Sequence, residues 1–218
     1  MINLFIVLFG VSMLYMASSS RIMAQINMLK LQGIILCLIT LIAHHHANIA
    51  GVAFLLLETF VVKAVMIPWF LQKVAKKNNI KRDNNPQFPN FYTLVISTFI
   101  LFAGFLIANI HSDYLINISN LYFGISISTI ITSFLFIAIK KRLLTHVIGF
   151  AMLENGIFLL SLSVAKEMPW IVNIGVLLDV FIAVFILGLL IGEIGTIYEN
   201  PGVCHLCNLK DSESEEDE

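Results

Sequence analysis

The chain has 218 residues, 58% of them hydrophobic and 12% charged, with a formal net charge of −1 and a mean hydropathy of +0.90. Soluble domains carry about a quarter charged residues, which excludes a soluble fold for most of this chain. A near-neutral balance also supplies no basic field for nucleic acid.

Apolar runs of about 20 residues cross a bilayer core of roughly 30 Å. In chain order, seven are expected, at about 2–19, 31–45, 48–72, 91–110, 119–139, 146–165 and 170–194. Residues 1–198 thus read as an all-α, polytopic transmembrane helix bundle. The first run lacks the Lys/Arg region of a secretory signal peptide, so it is read as a retained helix.

The connections set orientation. Arg21 and Lys30 lie between runs one and two, and Lys73, Lys76, Lys77, Lys81 and Arg82 follow run three. Lys140, Lys141 and Arg142 follow run five, while the alternate connections carry Lys166 alone. The positive-inside rule then places the N-terminus outside and the C-terminus inside. Trp69 and Trp170 suit the inner and outer interfaces, and His44, His45, His46 and His111 an outer interfacial position. Residues 199–218 end in DSESEEDE, an acidic tail expected to be disordered on the cytoplasmic side. Cys204 and Cys207 form a C-x-x-C with no second half of a zinc site, and no metal or cofactor is expected. No nucleophile–base arrangement or phosphate loop stands out, so the chain reads as non-catalytic.

Three acids interrupt the apolar runs: Glu58, Glu154 and Asp179. At 1.5 Å per residue, Glu154 lies about 12 Å past His146, Asp179 about 13 Å past Trp170 and Glu58 about 15 Å into its run. All three fall near the midplane, with Lys63 roughly 7 Å further in than Glu58. A lipid-facing charge at that depth costs about 2.5–3.5 kcal/mol, so these groups must face the bundle or a water-filled cavity. Three acids against one lysine imply that at least one is protonated, or shares a proton, at neutral pH. Lys63 lies off the face of Glu58 but shares a face with Thr59, so it is expected to pair across helices, with Asp179 or Glu154. Pro68 cannot donate to the carbonyl of Ala64, which predicts a kink beside Lys63. Asn155 stands beside Glu154 as a supporting amide, while Ser161 and Ser163 read as interhelical glue or caps of their own helix. A faint match of 55–67 with 176–188 lays Glu58 over Asp179, as in a parallel repeat.

Leu153-Glu154-Asn155-Gly156, then Pro169 in a short outer turn, then Asp179 followed by Ala183-Val184 mark the last two runs. In these residues the runs resemble component E of hydrogenase-4, the membrane subunit of formate-hydrogenlyase-type complexes. VVKAVMIPWFL, with Lys63 and Pro68, looks like the same family's Lys-to-Pro stretch; Glu58 belongs to no motif of it. More distantly, the last two helices look like the small K subunit of respiratory complex I. There Asp179 falls on the second intramembrane acid and Glu154 about one turn from the first.

The resemblance implies a non-catalytic subunit of a proton- or sodium-translocating complex in a cytoplasmic (inner) membrane. Its neighbours would be antiporter-like and other membrane-arm subunits, and indirectly the soluble nickel–iron hydrogenase and iron–sulfur subunits. Glu154, Asp179 and Lys63, with Glu58, would then form a lateral proton relay. The alternatives are a structural membrane-arm subunit and a self-contained ion transporter.

Overall fold

In the computed structural model, residues 2–43, 56–57, 59–77, 89–110, 120–140 and 142–164 are described. The chain divides into two compact units, Met1–Val180 and Phe181–Glu218, and all of the described residues belong to the first. The expected seventh run, the acidic tail, the four histidines of the outer side, Trp170, Glu58 and Asp179 lie outside the described residues.

Every described element is helical: α1 (Ile2–Ser18), α2 (Ile22–Ala43), a π-helix (Thr59–Met66) running into α3 (Ile67–Lys77), α4 (Asn90–Ile110), α5 (Asn120–Ile139) and α6 (Leu143–Val164). Among the described residues, four stretches are long and apolar enough to cross a membrane: Ile22–Ile42, Phe91–Ile110, Asn120–Ile139 and Leu144–Ser163. The shorter α1 is also apolar. The described residues are thus helical throughout their elements, in a pattern suited to a bilayer.

One boundary differs by nine residues from its sequence reading. The second run was expected from 31, but α2 begins at Ile22, so Lys30 is helical rather than in a loop. Hydropathy marks 22–30 as a connection because it carries Gln25, Asn27 and Lys30. Helical periodicity resolves this, because Ile22, Gln25, Ile26, Leu29, Gln32 and Gly33 turn inward while Asn27 and Lys30 turn outward. The turn itself shrinks to residues 19–21, with Ser19 N–H donating to the Tyr15 carbonyl at 3.0 Å. Gln25 Nε2 closes it further by donating to the Ser19 carbonyl at 2.6 Å.

Helices in lipid gain little from hiding apolar surface from each other, so close packing must hold them. Glycines supply it. A Cβ on Gly104 of α4 would strike Ser128 Oγ and come within 2.7 Å of the Gly124 carbonyl on α5. One on Gly149 of α6 would meet Ile137 of α5 at 2.7 Å. The hydroxyls of α5 mostly return to their own helix: Ser128, Thr129 and Ser133 each donate to the carbonyl four residues back, at 2.6, 2.7 and 2.6 Å. Ser163 likewise donates to Leu160 at 2.7 Å, so it serves its own helix.

The short connections from α1 to α2 and from α5 to α6 set the ends of the bundle. Ile6 and Phe9 from α1 pack with Ile35, Leu36 and Ile39 of α2, Ile125 of α5, and Phe158 and Leu159 of α6. The start of α1, end of α2, start of α5 and end of α6 therefore share one end. Arg21, Lys76, Lys77, Lys140 and Arg142 consequently gather at the other. Near it, half-buried Gln72 donates to exposed Asn27 at 3.2 Å. Lys73 Nζ stands 5.3 Å from the Trp69 ring, as an interfacial aromatic would have it. Lys30 is exposed on the same side, with an aliphatic stem long enough to bring its ammonium toward that end.

Candidate functional site

The site begins with a departure from α-helical winding. From Thr59 to Met66 the chain is a π-helix, and α winding resumes at Ile67. Pro68 explains the junction: it has no N–H to offer, a defect tolerated in the first turn of a helix. That is where it sits. The kink expected from Pro68 takes the form of this change in winding. Such π segments are rare in helices and concentrate where a side chain has a task.

The π-helix buries Thr59, Lys63 and Ala64 while Phe60, Val61, Val65 and Met66 remain exposed. Gly33 of α2 lets it come close. A Cβ there would lie 2.9 Å from both the Cα and N of Ala64 and 3.0 Å from the Lys63 carbonyl carbon. Backbone rests on backbone at this point, which fixes the height of Lys63 against α2.

Lys63 crosses to α6. Its Nζ lies 2.9 Å from Glu154 Oε1, with both side chains almost wholly buried. The ammonium also stands 4.6 Å from the centre of the Phe158 ring, one turn beyond Glu154, so the positive charge meets a carboxylate and an aromatic face together. Asn155, the next residue on α6, donates through Nδ2 to Gln32 Oε1 at 3.3 Å, a fully buried contact. Three elements are thereby tied together by polar groups at one height: α2 through Gln32, the π-helix through Lys63, and α6 through Glu154 and Asn155. By helical rise, Lys63 is about 13 Å from Gln72 near the basic end.

Charge balance explains why this arrangement can exist. An isolated buried ion carries a desolvation penalty of several kcal/mol, which a well-aligned opposite charge offsets. Lys63 and Glu154 sum to zero. The pair therefore places no net charge in the bundle.

Of the sequence candidates, the structure brings together Lys63, Glu154 and Asn155, and puts Pro68 at the end of the π segment. Sequence reasoning missed Gln32 and Gln25, both fully buried. The available signal was their spacing: seven residues apart, they occupy one helical face together with Leu29 and Leu36. Among the described residues, no group of three or more His, Cys, Asp or Glu side chains is arranged to hold a metal ion.

A protein of Mycobacterium tuberculosis, the uncharacterized protein Rv0085, is 26% identical to this chain over 196 residues, covering 86% of each. No family model matches the chain, and no solved structure matches it.

Proposed function

We propose that the chain is a non-catalytic membrane subunit of a proton- or sodium-translocating, hydrogenase-type complex related to formate hydrogenlyase and complex I. In this reading it spans a cytoplasmic membrane seven times, with the N-terminus outside and the C-terminus inside. Its polar residues form one link in a lateral relay between antiporter-like neighbours and the arm that carries the nickel–iron hydrogenase.

The observation that carries the proposal is the buried Lys63–Glu154 pair at 2.9 Å. Ionisable groups inside a membrane bundle are costly and mark ion or proton pathways. The two residues also stand in the stretches that resemble hydrogenase-4 component E, VVKAVMIPWFL and Leu153-Glu154-Asn155-Gly156. The gathering of Arg21, Lys76, Lys77, Lys140 and Arg142 at one end favours that end as the inner one. Asp179 and Glu58 complete the proposed relay on the sequence argument.

A purely structural role is the second reading. It is favoured by the way Lys63–Glu154 and Asn155–Gln32 strap three elements together. Asp179→Asn separates the two. Under the relay the complex assembles, electron transfer continues and ion movement falls about tenfold or more, whereas a structural acid would lose assembly instead. Membership of a complex is tested by a mild-detergent pull-down through a tag after Glu218, with partners identified by mass. Hydrogenase and antiporter-like chains are the expected result; a well-folded chain recovered alone contradicts it and favours a self-contained transporter.

A further inference from the structure

The Lys63–Glu154 pair has polar neighbours whose bonding is incomplete. Gln32 is fully buried, and its Oε1 takes the bond from Asn155. Its Nε2 has no partner among the described residues. Gln25, one heptad nearer the basic end and also fully buried, donates through Nε2 to Ser19, and its Oε1 has no partner either. Leaving a buried amide group unbonded costs about 1–3 kcal/mol. Two such groups on one face of one helix, about 10 Å apart, form a pattern.

We propose that Gln32 and Gln25 each hold an internal water molecule, the one at Gln32 beside the Lys63–Glu154 pair and the one at Gln25 toward the basic end of the bundle. Polar groups converge where a water at Gln32 would sit. The amide reaches Asn155, the residue after Glu154, and adjacent Gly33 rests on the backbone of Lys63 and Ala64. A buried water needs two to four polar partners, and Gln32 Nε2 supplies a donor while the carboxylate of Glu154 supplies an acceptor. At Gln25 the unpartnered atom is an oxygen, so the water there donates. Leu29, buried between them, is the apolar rung separating the two waters. The Asn155–Gln32 bond makes Gln32 a positioning residue as well, because it fixes which of its amide atoms is free.

The functional meaning of these waters, proton delivery to Glu154, rests on the relay reading, but their existence does not. In the full chain within its native membrane, Cys37, Cys204 and Cys207 are replaced by serine, and Gln25→Cys, Gln32→Cys and Leu36→Cys are compared. The probe is methanethiosulfonate ethylammonium, which reacts with thiolates formed only where water reaches them. Leu36 is the dry reference, fully buried in the apolar core. Gln25→Cys and Gln32→Cys are expected to react at least about tenfold faster than Leu36→Cys. Equal rates at all three positions, together with a dry Gln32 amide in a high-resolution density map of the unaltered protein, overturn the proposal.

Should Gln32→Cys fail to fold, a high-resolution density map of the unaltered protein decides. It is expected to show a water about 3 Å from Gln32 Nε2, and a dry amide refutes it. Fast labelling combined with a Glu154 variant that leaves ion movement unchanged keeps the waters and removes the relay. Slow labelling combined with a Glu154 variant that stops ion movement does the reverse.

Discussion

Lys63→Met is expected to destabilise the protein by about 3–5 kcal/mol, whereas Lys63→Met combined with Glu154→Met is expected to restore most of that loss. The asymmetry follows from burial. Removing the lysine leaves the Glu154 carboxylate without its partner at 2.9 Å, in surroundings where Phe158 and apolar core residues replace solvent. Removing both charges leaves two apolar side chains of similar length in the same space. Thermal unfolding in detergent reads the difference: one large drop for the single variant and a small one for the double. Two equal drops that add would mean that the residues do not interact. Under the relay reading, the recovered double variant is folded and assembled yet unable to pass protons, which separates stability from function in one protein.

Gly33→Ala carries the second large effect, a loss of about 1–3 kcal/mol as an overpacking change. Its methyl would stand 2.9 Å from the Ala64 Cα and N, and those are backbone atoms that cannot rotate aside. The π-helix must therefore move off α2, taking Lys63 with it. Gly10→Ala is the comparison, because its nearest neighbour is the tip of the Ile125 side chain at 3.4 Å, an ordinary contact. The unfolding midpoint should drop clearly for Gly33→Ala and barely for Gly10→Ala. A Gly33→Ala protein as stable as Gly10→Ala would show that the close approach has no energetic weight.

How far the sequence could be read depended on the period of each signal. The apolar runs at 91–110, 119–139 and 146–165 reappear as α4, α5 and α6 with ends shifted by at most a few residues, because about twenty mainly apolar residues admit few other structures in a bilayer. The start of α2 was hidden, since Gln25, Asn27 and Lys30 lower the hydropathy without disturbing the helical period. Only the inward positions of Ile22, Gln25 and Ile26 reveal it. Pro68 announced a disturbance near Lys63, but a missing donor does not say whether the helix bends or rewinds. Here it rewinds from Thr59 to Met66.

The pairing of Lys63 was open between Glu154 and Asp179 because charge alone cannot rank partners on different helices. The packing of Gly33 against Ala64 sets the height of Lys63, and that height meets Glu154. Gln32 escaped notice for a related reason. A neutral amide near the start of an apolar run resembles an interfacial residue until Asn155 on another helix is seen to reach it.

The most direct measurement is the number of ions moved per electron by the complex carrying Glu154→Gln, purified and placed in liposomes. Glutamine keeps the size of the side chain and removes its proton chemistry, so assembly can be checked in the same sample by the subunits that co-purify. Because Lys63 loses its buried counter-charge, the complex is expected to be less thermally stable yet still assembled, with electron transfer persisting while ion movement falls about tenfold or more. An intact complex with undiminished ion movement would contradict the relay and leave the Lys63–Glu154 pair as a strut between helices.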